Sequence, residues 1–135
     1  MIKILIITHG ELGREMLRTA ETIIGVQEEI DAITLTPQDS LATMSARVGE
    51  ILKGIKSSDG TLILTDMLGG TPCNACLPFS TDYNIEIVSG VNLYMLLSSL
   101  INRTHLDLKG LAVKVISDGQ RNIANAKDIF LRKLK

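Results

Sequence analysis

Short apolar runs punctuate the chain at Ile4–Ile7, Ala32–Leu35, Thr61–Thr65, Ile85–Val88 and Leu111–Ile116. Between them, apolar residues recur every three or four positions. Leu41, Met44, Val48, Ile51, Leu52 and Ile55 fall on one face of a helix, as do Leu12, Met16, Ala20, Ile23 and Ile24, with Gly25 placed to end that second helix. Leu93, Leu96, Leu97, Leu100 and Ile101 predict a third helix, and Ile123, Ala126, Phe130 and Leu134 a last one. Strands alternating with helices in this way predict βαβ units around a mostly parallel sheet, a doubly wound α/β fold. The first, third and fourth apolar runs read as central strands buried on both faces. The Leu111–Ile116 run carries Lys114 and predicts an edge strand.

Ligands of open α/β sheets gather beyond the carboxyl ends of the strands. Three polar, glycine-containing loops should meet there: Thr8-His9-Gly10-Glu11, Asp66-Met67-Leu68-Gly69-Gly70-Thr71-Pro72 and Ser89-Gly90-Val91-Asn92. His9 at the end of a buried strand is rigidly held yet reaches solvent. Neutral imidazole is a nucleophile through one ring nitrogen when the other keeps its proton, and a carboxylate acceptor fixes that tautomer. Asp66, at the end of the third strand, is the candidate acceptor; the plainer alternative is that His9 ends a strand and Asp66 caps a turn. Gly69 and Gly70 allow a tight turn and offer backbone N–H groups, while Thr71 suits an N-cap and Pro72 the first helical position. The helix beginning there would turn its positive end toward an anion, although an ordinary strand-to-helix turn uses the same residues.

The length of 135 residues suits one domain, read as spanning 1–135, with no repeat and no linker-like stretch. At 45% hydrophobic, 21% charged and 3% aromatic residues, the composition is that of a globular protein with an aliphatic core. A net charge of −1 argues against a nucleic-acid or anionic-membrane binder. The early apolar run is too short for a signal-peptide core or a membrane span, so a cytoplasmic location without membrane insertion is expected. Cys73 and Cys76 form a C-x-x-C pair, for which a redox role is the alternative to plain packing. Two histidines give no cluster for a catalytic metal, and no cofactor is expected. His105, beside Asp107, reads as a surface histidine near a helix end. No Walker-type motif appears, so a phosphoryl group would arrive on a protein rather than on ATP.

Taken together, three segments resemble the EIIA component of the mannose-type phosphoenolpyruvate-dependent sugar phosphotransferase system. They are Ile6-Ile7-Thr8-His9-Gly10, Leu64-Thr65-Asp66-Met67-Leu68-Gly69-Gly70-Thr71-Pro72-Cys73-Asn74 and Ser89-Gly90-Val91-Asn92-Leu93. The resemblance implies a phosphotransferase that accepts a phosphoryl group from HPr on His9 and passes it to EIIB, in indirect association with membrane EIIC and EIID. It further implies phosphate on Nε2, Asp66 bonded to Nδ1, a Thr71 hydroxyl nearby, and support from Gly69, Gly70 and Gly10. The family fold implies a homodimer with an antiparallel edge strand exchanged between subunits, for which Leu111–Ile116 is the expected equivalent. Tyr94 stands where the family often has proline, which predicts a local change at that helix start. The rivals are the phosphocarrier domain of a phosphotransferase-dependent dihydroxyacetone kinase, and a regulatory module switched by phosphorylation of His9. The sugar is not encoded in a carrier that never touches it.

Overall fold

The structure, a computed structural model, describes residues 1–135. Four parallel strands, β1 (Lys3–His9), β2 (Ile30–Leu35), β3 (Thr61–Thr65) and β4 (Ile85–Val88), lie in the order β2-β1-β3-β4. Six helices accompany them: α1 (Leu12–Ile24), α2 (Leu41–Gly54), α3 (Thr71–Cys76), α4 (Leu93–Asn102), α5 (Leu108–Arg121) and α6 (Ala126–Lys133). The sheet is thus doubly wound, as the pattern of the chain predicts.

Alternation along the strands divides the core between the two faces of the sheet. Ile4, Ile6, Leu62 and Leu64 pack with Ala20, Met95, Leu96, Leu111 and Val115 from α1, α4 and α5. Leu5, Ile7 and Ile63 face the other way, against Met44, Val48 and Leu52 of α2 and Ala75 and Cys76 of α3. Because β1 and β3 are buried on both faces, they are the rigid centre. Gly13 lets α1 settle closely on β1. A Cβ at that position would lie 2.9 Å from Ile6 Cγ2, and the Gly13 N–H donates to the buried Thr8 Oγ1 at 2.8 Å.

Two expectations are corrected. The Leu111–Ile116 run is not a strand; it lies inside α5. Leu108, Leu111, Ala112 and Val115 are buried at helical spacing, while Val113 and Lys114 face outward. Asp107 caps this helix by accepting the Gly110 N–H at 2.8 Å, so the chain is already committed to a helix before the run begins. There is consequently no edge strand at 111–116 to be exchanged. Secondly, with no strand beyond it, β4 is an edge strand rather than a central one, and three of its four residues are only half-buried. At the amino ends of the strands, away from the carboxyl rim, buried Arg103 donates to the carbonyls of Glu28 at 2.6 Å and Glu29 at 2.9 Å.

Candidate functional site at the carboxyl rim

The strand order reverses between β1 and β3: the chain leaves β1 for β2 on one side and returns to β3 on the other. Such a switch point opens a crevice at the carboxyl ends of the strands. The register pairs Ile7 with Thr65, so Thr8-His9 and Asp66 run out of the sheet side by side. This brings together the two residues that the sequence analysis singled out.

His9 Nδ1 lies 2.8 Å from Asp66 Oδ2, and the same oxygen accepts the backbone N–H of His9 at 3.0 Å. The Asp66 side chain is only 10% exposed, whereas that of His9 is 45% exposed. Burial pushes the Asp66 carboxyl up, but the side-chain and backbone hydrogen bonds from His9 and the attraction of the ring more than offset it. The net result is a carboxyl held below its usual value. Asp66 is therefore a carboxylate and can only accept, so the proton of a neutral His9 sits on Nδ1. Its Nε2 lone pair is then free of that bond, on a ring that is 45% exposed. The other carboxylate oxygen, Oδ1, is buried without a partner.

The turn after β3 approaches the ring at Cε1, the atom between its two nitrogens. Gly69 takes a positive φ of 81°, and Gly70 brings its backbone so close that a Cβ there would lie 3.2 Å from His9 Cε1. The structure corrects the expected capping. Gly70, not Thr71, is the N-cap of α3; its extended backbone lets its carbonyl accept the Asn74 N–H at 2.9 Å, and no side chain caps the helix. Thr71 is the first helical residue and Pro72 the second. The expected donors are also partly taken. Gly10 N–H bonds Leu35 O at 2.8 Å, and Gly70 N–H bonds Met67 O at 3.2 Å. Met67 was not singled out in the sequence; its carbonyl shapes this turn, a role that only the fold reveals.

Elsewhere on the rim, Asn92 accepts the Met95 N–H at 2.9 Å, so α4 begins at Leu93 with a side-chain cap and Tyr94 sits exposed in its first turn. Cys73 and Cys76 are free thiols, both buried. Burial, with the neighbouring Cys73, holds the Cys76 thiol up at about 12, and its Sγ donates to Pro72 O at 3.2 Å. That is packing, not the exposed thiolate of a redox pair. His105 lies beyond α4, apart from the rim. No group of three or more His, Cys, Asp or Glu side chains is arranged to hold a metal ion, and no helix is long and apolar enough to cross a membrane.

Comparison with known proteins places this geometry in a family. Residues 3–116 match the family model EIIA-man, described as PTS system fructose IIA component. The chain is 34% identical over 103 residues to the mannose-specific EIIAB component of Escherichia coli (76% of this chain), and spans only 32% of that relative's length. It is 32% identical over 112 residues to the fructose-specific EIIA component of Bacillus subtilis, covering 82% of this chain and 77% of the relative. A crystal structure of the phosphotransferase system component EIIA from Streptococcus agalactiae superposes with a TM-score of 0.87 at 31% identity, covering 95% of this chain and 99% of that one. The mannose/sorbose-specific IIA subunit from Enterococcus faecalis does so at 0.84 and 27%, covering 92% and 93%. The fold and the sequence agree, and the chain belongs to the EIIA-man family of sugar phosphotransferase system components.

Proposed function

We propose that this chain is a cytoplasmic phosphohistidine carrier, taking a phosphoryl group from phosphorylated HPr on Nε2 of His9 and passing it to an EIIB component during sugar uptake. The observation that carries the reading is the 2.8 Å bond between His9 Nδ1 and a largely covered carboxylate, on a ring that remains 45% exposed. The Nε2 lone pair attacks phosphorus in line. The N–P bond of the donor phosphohistidine breaks, and its electron pair returns to the donor's ring nitrogen. His9 keeps its Nδ1 proton, and Asp66 stabilises the charge that the ring gains. Transfer to EIIB reverses these steps. Both ends of the relay are phosphoramidates of similar energy, so positioning is the main contribution asked of the protein.

Thr71 and the Gly69 N–H are the groups we assign to the phosphoryl oxygens. Gly10 and Gly70 act through backbone shape, since their N–H groups are engaged elsewhere. A homodimer is part of the proposal. It is supported by the open outer edge of β4 and by α6, none of whose residues is buried and whose Ile129, Phe130 and Leu131 are exposed. Relatives named as sugar-system EIIA components favour this reading over a dihydroxyacetone kinase partner.

The test is uptake of labelled phosphoryl group from phospho-HPr, followed by chase with EIIB. The unaltered chain should take one acid-labile label and lose it to EIIB, and His9→Ala should take none. Uptake by His9→Ala at the normal rate overturns the proposal.

A further inference from the structure

We propose that Gly70 is a positioning residue for the His9 imidazole, acting through the side chain it lacks. The inference rests on the carrier reading of His9 and deepens it. Three observations narrow the reason for glycine at this position. Its backbone, at φ −78° and ψ 163°, is extended and open to any residue, unlike that of Gly69. Its N–H is bonded to Met67 O, so it is not kept as a donor. What remains is space. A Cβ at residue 70 would lie 3.2 Å from His9 Cε1, 3.3 Å from Met67 O and 3.4 Å from Met67 Cβ. The tightest of these contacts is the one to the ring, inside the roughly 3.5–4.0 Å at which carbon atoms rest comfortably.

The ring has nowhere to retreat without loss. Its Nδ1 is bonded to Asp66 Oδ2, and that oxygen is tied in turn to the backbone N–H of His9. The imidazole is thus bonded to a carboxylate at Nδ1 and closely approached by residue 70 at the adjoining Cε1. Cε1 is the atom bonded to both ring nitrogens. A push on it lengthens the Nδ1–H···Oδ2 bond and swings Nε2 off the line of attack at the same time. A methyl group at residue 70 therefore damages the tautomer and the aim of the nucleophile together, without altering the chemical identity of any group assigned to the phosphoryl oxygens.

The test is a cycle of Gly70→Ala, His9→Ala and the double variant, read by ¹⁵N chemical shifts of the His9 ring, thermal melting and phosphoryl uptake from phospho-HPr. In the unaltered chain at pH 8, the ring nitrogens should report a single Nδ1–H tautomer. In Gly70→Ala they should report a mixture, with uptake slowed about tenfold or more, as expected for a reacting atom displaced by a fraction of an ångström. Gly70→Ala should lower the melting temperature more in the presence of His9 than in the His9→Ala background, where only the contacts to Met67 remain. Unchanged nitrogen shifts, or an equal fall in melting temperature in both backgrounds, overturns the inference. If Gly70→Ala does not fold, a folded double variant supports it and an unfolded one overturns it. Should the unaltered chain take no phosphoryl group, the carrier reading fails, and the nitrogen shifts still decide the role of Gly70.

Discussion

Replacing Asp66 with Asn removes a charge while the structure dictates where the amide goes. Oδ2 of Asp66 serves both the ring and the backbone N–H of His9. An Asn side chain satisfies both donors only by placing its oxygen there, which keeps the Nδ1–H tautomer and loses the negative charge alone. Two unit charges about 4 Å apart interact by ~1 kcal/mol in water and ~4 kcal/mol at an effective dielectric constant near 20. The pair straddles these limits, the carboxylate being 10% exposed and the imidazole 45%. With about half a charge on the ring in the transition state, the loss is ~0.5–2 kcal/mol, or roughly 2- to 30-fold in rate. Asp66→Ala removes both hydrogen bonds as well and should be slower still, because the tautomer is then unconstrained. The assay is rapid-quench phosphoryl uptake from phospho-HPr at pH 8, with circular dichroism to show that each variant is folded. An Asn variant within twofold of the unaltered rate refutes the electrostatic role, and an Ala variant no slower than Asn refutes the orienting one.

Two stability predictions test the scaffold. Leu64→Ala empties a fully buried site in the central strand β3 and should cost about 2–5 kcal/mol in urea unfolding; a loss below ~1 kcal/mol would mean that the core collapses into the gap. Asp118 accepts from Ser98 Oγ at 2.7 Å, from Lys114 at 3.2 Å and from Arg121, and these hold its carboxyl down at about 2, against an ordinary 3.8. A depressed carboxyl stabilises the fold above its unfolded pKa, and this contribution is lost as pH falls through the folded one. Asp118→Asn should therefore be less stable than the parent at pH 7, with the gap closing between about pH 4 and pH 2. A gap independent of pH sinks the argument.

The pairing of His9 with Asp66 was legible because both stand immediately after apolar runs, and parallel strands send their carboxyl ends to one rim. The bounds of β3, β4 and α1 were equally plain, since the apolar runs at 61–65 and 85–88, Gly25 and the polar loops mark them. The run at 111–116 misled because a short apolar stretch fits a strand and a buried helix equally well; Asp107 three residues before Gly110 was the signal that would have separated them. Thr71 had the chemistry of a cap, but Gly70 already provided the required extended backbone one residue earlier. Gly13 and Met67 went unnoticed for another reason: their importance lies in distances to β1 and to Gly70, and single-residue chemistry carries no trace of those.

Because one carboxylate oxygen grips both the main chain and the ring of residue 9, the imidazole is coupled to the alignment of two neighbouring strands as well as to the turn that follows β3. A slip of β3 along β1 would be felt at once by the imidazole. Loops away from these two strand ends can meanwhile vary in length and character with little disturbance to that junction. Conversely, transplanting the His9 segment alone into another framework would carry over a histidine but not the bond that holds its ring, which belongs to the junction of two chain segments 57 positions apart.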